Sequence, residues 1–267
     1  MDARIVAIYN LKGGTAKSVT AANMAAALAL SGSKVLVVDL DPQGSASKNL
    51  GVRSDGKALR DLLVAPDSHD AKGVIESTSV EGVSLMAGGT WLSGVETTTS
   101  GVPAREFILS QVLEGVREGG EFEYVFVDCP PSPGLLNILA LFAADSYLVP
   151  VQTKGEAVDG FVSALAYLDS VNSARKRMRR PPLQEDGILM CLYDARTTLS
   201  RHTVNAMRKK FGDRIYKSVI HRNIDVSQGY LDGHPVVASK PKSKGALNYR
   251  QATKEFVGRL ELKKEAS

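Results

Sequence analysis

The sequence has 267 residues, of which 43% are hydrophobic and 23% charged, and this suits one sizeable α/β domain with its own core. No run of about 18 apolar residues occurs, so we expect no membrane span, and the first residues do not resemble a signal peptide. Cys129 and Cys191 lie far apart without a CxxC or histidine partner. They exclude a disulfide or metal framework and predict reduced thiols in the cytoplasm.

Apolar, β-branched runs alternate with amphipathic or alanine-rich segments along the chain. The predicted strands are RIVAIYN (4–10), KVLVVDL (34–40), VSLMA (83–87), EYVFVDC (123–129), SYLVPV (146–151), GILMCLY (187–193) and IYKSVI (215–220). The predicted helices cover 18–30, 104–116, 135–143, 156–171, 201–211 and 244–262. Strands without polar alternation are buried on both faces. The predicted fold class is α/β, with a doubly wound, mostly parallel sheet flanked by helices. We expect a single domain over residues 1–267, frayed at 263–267.

The formal net charge of +4 is unevenly distributed. From Val171 onward 21 basic residues stand against 9 acidic ones, whereas the preceding part has 12 basic and 20 acidic residues. A basic half indicates attraction to a polyanion such as nucleic acid, with a merely solvated surface as the alternative. Within that half, residues 172–187 (NSARKRMRRPPLQEDG) predict a mobile loop. Its five basic residues fit a polyanion contact and a solvated loop equally well.

A glycine-containing segment, KGGTAKS (12–18), lies between the first predicted strand and the first predicted helix. Its glycines let backbone amides approach a phosphate, and the helix N-terminus favours negative charge. In such a loop Lys17 reaches the β- and γ-phosphates of a nucleotide, and the Ser18 hydroxyl ligates Mg²⁺. The segment departs from the usual phosphate-binding pattern because Ala16 replaces the glycine before the lysine. Taken alone, it fits a glycine-rich turn before an ordinary helix equally well.

Aspartates occur at the carboxyl ends of two other predicted strands. Asp39 and Asp41 follow the second strand, and Asp128 ends the fourth. Ligands of doubly wound sheets bind at this edge, where carboxylates can hold Mg²⁺ and orient an attacking water. One aspartate at such a place is commonly a helix cap or turn residue. The three together, with the glycine-containing segment, predict a nucleoside triphosphate–Mg²⁺ site.

This combination resembles the ParA/Soj/MinD family of deviant Walker A ATPases, a group of P-loop NTPases whose loop is spelled KGGxxK[ST]. The segment KGGTAKS satisfies that spelling, and the family accepts residues other than glycine at Ala16. DLDPQGSAS (39–47) and VFVDCPPSPGLL (125–136) are similar to its Walker A′ and Walker B segments. The stretches 147–161, 193–200 and 220–256 are typical of the ParA/Soj branch.

The resemblance implies a slow ATPase with ATP and Mg²⁺ as cofactors. The implied nucleotide-binding residues are Lys12, Gly13, Gly14, Thr15, Ala16, Lys17, Ser18 and Val19, and the implied Mg²⁺ residues are Ser18, Asp39 and Asp128. Lys12 is expected to cross the interface of a nucleotide-dependent homodimer and contact the partner's nucleotide, a catalytic role shared with Lys17. Gly13 is expected to tolerate no larger side chain in that dimer, and Asp41 to activate the hydrolytic water.

The ParA/Soj branch moves plasmids and chromosome origins. The resemblance therefore implies a partition ATPase on the nucleoid in the cytoplasm, with non-specific DNA and a centromere-binding ParB-type protein as partners. Arg196 matches a family arginine implicated in DNA contact, and the further DNA-binding candidates are Arg222, Lys240, Lys242 and Lys244. Each lysine alone also fits a solvated charge. Asp225 stands where the family often has arginine, so one DNA contact is absent or reversed in charge.

Two other functions remain as alternatives. A MinD-like membrane-positioning ATPase needs a C-terminal amphipathic helix with bulky apolar residues. Residues 255–267 (EFVGRLELKKEAS) end in charge, so we expect no stable membrane association. A metabolic ATP-dependent ligase would need an acid or amine pocket that the sequence does not reveal. Because the chain starts at its first strand, we also expect no N-terminal helix-turn-helix extension that binds an operator.

Overall fold

The computed structural model describes residues 3–154 and 157–265. Their strands are β1 Arg4–Ile8, β2 Val35–Asp39, β3 Ile75–Ser77, β4 Val83–Met86, β5 Tyr124–Asp128, β6 Ser146–Gln152, β7 Gln184–Tyr193 and β8 Ile215–His221. All seven predicted strands are confirmed. The sequence did not predict β3, because it has only three residues and two of them are exposed.

The strands form one sheet in the order β3-β4-β2-β5-β1-β6-β7-β8. Every pairing is parallel except that of β3 with β4. After β1 the chain forms β2 to β5 on one side of β1 and then β6 to β8 on its other side. The carboxyl end of β1 is therefore a switch point, where doubly wound sheets form a crevice for ligands. The predicted fold class is confirmed.

The described helices lie on both faces of the sheet. Their bounds are α1 Lys17–Ala29, α2 Ser45–Asn49, α3 Lys57–Val64, α4 Val95–Thr98, α5 Ile108–Glu118, α6 Leu135–Ala143, α7 Ala157–Arg177, α8 Thr198–Phe211, α9 Ile224–Asp232, α10 Val236–Ser239 and α11 Lys244–Glu265. Short 3-10 helices cover Pro66–Ser68, Ala71–Val74, Thr90–Gly94, Arg105–Phe107 and Gly212–Arg214.

Two hydrophobic cores sandwich the sheet. Ile5 and Ala7 of β1 belong to one core, whereas Val6 and Ile8 belong to the other. The first core is covered mainly by α3, α5, α6 and α7, and the second by α1 and α11. Alternate residues of a strand point to opposite faces, so a strand between two cores must be apolar throughout. This is why the central strands were recognisable as uninterrupted apolar runs.

All six predicted helices are present, with different ends in several cases. The helix predicted to begin at Ala104 starts instead as a 3-10 helix over Arg105–Phe107, and α5 itself begins at Ile108. The helix predicted for 156–171 extends to Arg177, and its first residue, Glu156, lies outside the described residues. The last helix continues to Glu265, so residues 263–265 of the tail expected to fray are helical. Residues 266 and 267 lie outside the described part of the chain.

The prediction of a mobile loop over 172–187 is wrong. Its first part is the end of α7, and its last part is the start of β7. The physical reason is Arg175, whose side chain is buried. Its guanidinium donates to the carbonyls of Leu141 and Phe142 at 2.7 and 3.0 Å and to the Pro181 carbonyl at 2.9 Å. Arg175 therefore fixes this segment to the end of α6 instead of extending into solvent.

Replacement of Arg175 by methionine should lower the free energy of unfolding by about 2–4 kcal/mol. The variant keeps much of the apolar stem but leaves three carbonyl acceptors, two of them in buried hydrogen bonds, without their donor. Urea denaturation of both proteins measures the difference. Lys176→Met is the matched control, because the neighbouring Lys176 side chain is exposed. Equal unfolding midpoints of the Arg175 variant and the wild type would contradict the anchoring role.

Candidate active site

The segment between β1 and α1 forms a compact loop at the carboxyl end of β1. The Asn10 side chain fixes this loop through two hydrogen bonds. Its Nδ2 donates to the Pro150 carbonyl at 2.8 Å, and its Oδ1 accepts from the Lys12 amide at 2.9 Å. Sequence analysis missed Asn10, although its position two residues before Lys12 was visible. The loop ends at Ala16, whose φ of 71° lies in the left-handed region. That conformation costs an alanine about 1 kcal/mol relative to glycine, so the surrounding loop must impose it.

Lys17 is the first residue of α1, and its side chain folds back into the loop. Its ammonium donates to the Lys12 carbonyl at 3.3 Å. Burial lowers the pKa of Lys17, and the neighbouring Asp128 opposes this shift. An ammonium buried at a helix N-terminus is placed to bind an anion rather than to be solvated. The loop can therefore hold a phosphate between Lys17 and the first backbone amides of α1.

Asp39 and Asp128 are adjacent in the sheet, because they are paired residues of β2 and β5. Both are completely buried. Burial raises the pKa of Asp39 to about 6 despite hydrogen bonds from the Ser47 hydroxyl at 2.7 Å and the Ser47 and Asp41 amides at 2.8 and 3.1 Å. Asp39 thus fixes the start of α2 and the backbone of Asp41. Its assignment to Mg²⁺ stays a prediction.

Asp128 differs from Asp39 in that no described donor makes a well-formed hydrogen bond to either carboxylate oxygen, although the Ser18 hydroxyl lies close enough to lower its pKa. Burial and the neighbouring Asp39 raise its pKa well above the ordinary value, whereas Ser18 and Lys17 lower it less strongly. A buried carboxylate without partners is costly unless a cation or donor compensates it. A Mg²⁺ ion or one of its waters fits this position. Within the described ranges no cluster of three or more His, Cys, Asp or Glu side chains could hold a metal by itself.

A cleft of about 700 Å³ opens in front of this loop. One wall is the phosphate-binding segment from Gly13 to Val19 with Asp41, and the other is the end of β8 with α9. The volume is in the range of small-molecule sites. A larger cavity of about 870 Å³ lies between the ends of α1 and α11 and does not include the loop. The smaller cleft is the candidate nucleotide site because the phosphate-binding groups converge there.

Comparison with known proteins places this chain in a family. The family model described as "AAA domain" matches residues 3–180. The sporulation initiation inhibitor protein Soj of Bacillus subtilis is 37% identical over 95% of this chain and 98% of its own length. The chromosome partitioning protein ParA of Caulobacter vibrioides is 33% identical over 96% of this chain and 94% of its own length. The chain belongs to the ParA/Soj family of deviant Walker A ATPases.

A solved structure of a similar protein contains a nucleotide. Cobyrinic acid a,c-diamide synthase from Mycobacterium smegmatis, with a bound ATP analogue and magnesium, is 31% identical with a TM-score of 0.78. The match covers 94% of this chain and 93% of that protein. The ParA/Soj-family chain is accordingly an ATPase with ATP and Mg²⁺ as its cofactors. The roles of its individual site residues remain proposals.

The predicted DNA-binding residues of this ParA/Soj-family chain all lie at the carboxyl edge of the sheet, which carries the cleft. Arg196 follows β7, Arg222 follows β8, and the three lysines precede or begin α11. The Arg196 side chain is 87% exposed and forms an ion pair with Asp194 at 2.9 Å. This contact lowers the pKa of Asp194 to about 2. All five residues of the set are exposed, namely Arg196, Arg222, Lys240, Lys242 and Lys244.

Asp225, which departs from the family pattern, is not isolated. It lies in the first turn of α9 and accepts a hydrogen bond from the Lys240 ammonium at 2.7 Å. One of the predicted DNA-binding lysines is therefore already paired with an acid. No sequence signal linked these two residues, which are 15 positions apart. Among the described residues, no helix is long and apolar enough to cross a membrane.

Proposed function

We propose that this chain is a DNA-partition ATPase that switches between a free and a DNA-bound state. In this proposal ATP joins two copies into a sandwich dimer, and the dimer binds DNA without sequence preference. A centromere-binding ParB-type protein then stimulates hydrolysis and release. The supporting observation is that the nucleotide cleft and the exposed basic residues from Arg196 to Lys244 share one edge of the sheet.

The site chemistry is assigned to residues of one protomer and one lysine of its partner. Lys17 and the first amides of α1 bind and orient the β- and γ-phosphates. Ser18 and Asp128 would hold Mg²⁺, which neutralises developing phosphate charge when bound. Asp41 orients the attacking water, and a Lys12 side chain from the second copy would stabilise charge in the transition state.

The first test is binding of the purified protein to a random-sequence duplex with ATP–Mg²⁺ and with ADP–Mg²⁺ across a salt series. We expect binding with ATP alone and a steep loss with salt, because Lys and Arg contacts to phosphates release counterions. Arg196→Glu should weaken this binding while leaving the ATP dimer intact. Equal binding in both nucleotides would refute the proposed switch.

Replacement of Gly13 by valine should leave the fold and ATP binding intact but abolish the dimer. A Cβ atom at this position would lie 3.8 Å from the Pro131 Cβ, an ordinary contact within one protomer. The expected steric conflict therefore arises only when a second copy approaches the loop. Sedimentation equilibrium with ATP–Mg²⁺ measures the dimer, and fluorescent ATP binding serves as the control. A variant that dimerises like the wild type would remove Gly13 from the proposed interface.

Replacement of Asp225 by asparagine should strengthen DNA binding about two- to fivefold at moderate salt. The change releases the Lys240 ammonium from its ion pair and adds about one phosphate contact per protomer, which steepens the salt dependence by about 0.9. Asp213→Asn, in the 3-10 helix before β8, is a charge-matched control. If both variants bind DNA equally, the pair does not restrain Lys240.

The match to a diamide synthase makes amide ligation the second candidate. The two functions differ in what stimulates ATP turnover. A partition ATPase is stimulated by DNA with its protein partner, whereas a ligase requires a carboxylate and an amine donor. Hydrolysis that stays at its basal rate with DNA and a ParB-type protein but rises with glutamine and a carboxylate substrate would favour the ligase.

A further inference from the structure

A second group of basic residues lies at the end of α7 and in the turn that follows. Lys176, Arg177 and Arg179 form what we call the amino-edge cluster, and all three are exposed. Among the side chains that the structure describes, no acidic group lies within ion-pair distance of these three. Their charge is available to an external partner.

The backbone of the cluster is fixed. The Arg179 amide donates to the Lys176 carbonyl at 3.0 Å, and the Arg180 amide donates to the Arg175 carbonyl at 2.9 Å. This pair of bonds ends a helix with one residue in the left-handed conformation, a position that glycine usually occupies. Here it is Arg179, with φ of 56°. Glycine would adopt this conformation with less strain, so Arg179 adds a third exposed cation to the cluster at some cost in backbone energy.

Two arginines outside the cluster, Arg175 and Arg180, hold its backbone in place. Arg175 is tied to the end of α6 and to Pro181, as described above. The Arg180 guanidinium stacks over the Phe107 ring, 4.6 Å from its centroid. The three exposed cations therefore project from a rigid base, which reduces the conformational entropy lost when they bind a ligand.

The cluster lies at the opposite edge of the sheet from the nucleotide cleft. α7 leaves the carboxyl end of β6 and ends just before the amino end of β7. With 21 residues it is about 30 Å long. Cations in a last helical turn are favoured by the helix dipole, which accounts in part for Lys176 and Arg177. It does not account for Arg179, which lies beyond the helix.

We propose that the amino-edge cluster is a second contact for the phosphate backbone of duplex DNA, engaged together with the carboxyl-edge residue Arg196. This proposal rests on the proposed function. A straight duplex presents the same backbone to one side every helical turn, about 34–36 Å. The cluster precedes β7 and Arg196 follows it, and a strand of 10 residues spans about 33 Å. The two contacts can therefore meet one duplex lying along α7 and α8 without the energy of bending it.

Duplex DNA suits this surface better than a membrane or an acidic protein. Two of the three cations are arginines, whose planar guanidinium binds phosphate oxygens in pairs. The exposed apolar residue between them, Met178, supplies little area for membrane insertion. The regular repeat of phosphates suits two contacts separated by the length of β7, about 33 Å, whereas an acidic peptide has no fixed spacing.

The test compares a cluster variant, Lys176→Gln/Arg177→Gln/Arg179→Gly, with a matched variant, Lys34→Gln/Lys72→Gln/Lys254→Gln, whose lysines are exposed elsewhere. Affinity for a random 40-base-pair duplex is measured with ATP–Mg²⁺ across a salt series. Loss of three phosphate contacts should lower the salt slope by about 2.7 per protomer and the affinity at least tenfold. The matched variant should change affinity less than twofold.

Direct contact is tested by a photo-crosslinking residue at position 179, which should crosslink to the duplex with ATP and not with ADP. Glycine at position 179 suits the backbone, so the cluster variant should melt no lower than the wild type. If wild type binds DNA and the cluster variant binds equally, the second contact is overturned while the proposed function stands. If the wild type binds no DNA, both the second contact and the proposed function are overturned. Loss of the ATP dimer in the cluster variant, or crosslinking to anionic vesicles instead of DNA, would also overturn it.

Discussion

Replacement of Lys17 by alanine should weaken ATP binding at least 100-fold and reduce hydrolysis to the background rate. The ammonium is buried in the loop and donates to the Lys12 carbonyl, so it faces the position of the phosphates. Charge-assisted hydrogen bonds to phosphate contribute about 1.5–3 kcal/mol each, and Lys17 is assigned two phosphates. Isothermal calorimetry with a non-hydrolysable analogue measures the affinity, and phosphate release measures the turnover.

The matched control for this experiment is Lys48→Ala. Lys48 lies near the same edge in α2, but its ammonium is exposed and donates to the Gln43 carbonyl. The control should bind ATP like the wild type, which separates loss of the phosphate contact from a general loss of positive charge. Unchanged ATP binding and turnover in the Lys17 variant would show that the site assignment is wrong.

The sequence predicted the sheet well because the signal is physical and local. The central strands lie between two cores, so each residue must be apolar whichever way it points. The sequence missed β3 and the five helices α2, α3, α4, α9 and α10, which have at most nine residues each. β3 has a single half-buried apolar residue, and α9 contains a glycine in a short stretch without clear periodicity. Edge strands and short helices depend on tertiary contacts, which a sequence pattern does not contain.

The site was predictable where its residues are consecutive and obscure where they meet through the fold. The phosphate-binding loop is a continuous motif, and the aspartates end predicted strands that neighbour each other. The Asn10–Pro150 bond and the Asp225–Lys240 pair join positions far apart, so neither could be read from the sequence. Arg175 misled the prediction because a charged residue in a basic run is normally solvated, whereas this one is buried against three carbonyls.

The acidic part of the site is organised for ligand binding rather than for stability. Burial raises the pKa of both paired carboxylates, Asp39 and Asp128, and the neighbouring Asp39 raises that of Asp128 further. Asp39 is compensated by Ser47 and the backbone, whereas Asp128 has only the weaker influence of Ser18 and Lys17. A bound cation would supply the missing compensation, so ligand binding should stabilise the folded protein by mass action.

Asp41 should be the residue whose loss separates ATP binding from ATP hydrolysis. Replacement by asparagine should lower the rate of hydrolysis about 100-fold or more, the usual contribution of a positioned base. Its Oδ1 accepts from the Gln43 amide at 2.9 Å, whereas no described residue donates to its Oδ2. Asparagine can keep the first contact while removing the carboxylate that orients water. ATP affinity should change less than threefold, because the phosphates are bound by Lys17 and the helix amides.

In the partition cycle this variant should remain as an ATP dimer on DNA, since release follows hydrolysis. Single-turnover hydrolysis and the DNA dissociation rate, measured on one preparation, distinguish the two effects. Asp41→Ala also removes the acceptor for Gln43, so a defect in alanine alone would indicate a structural role. Normal hydrolysis in the asparagine variant would exclude Asp41 from water activation. Slow hydrolysis with rapid DNA release would instead show that release precedes the chemical step. Hydrolysis would then not control how long the dimer stays on DNA.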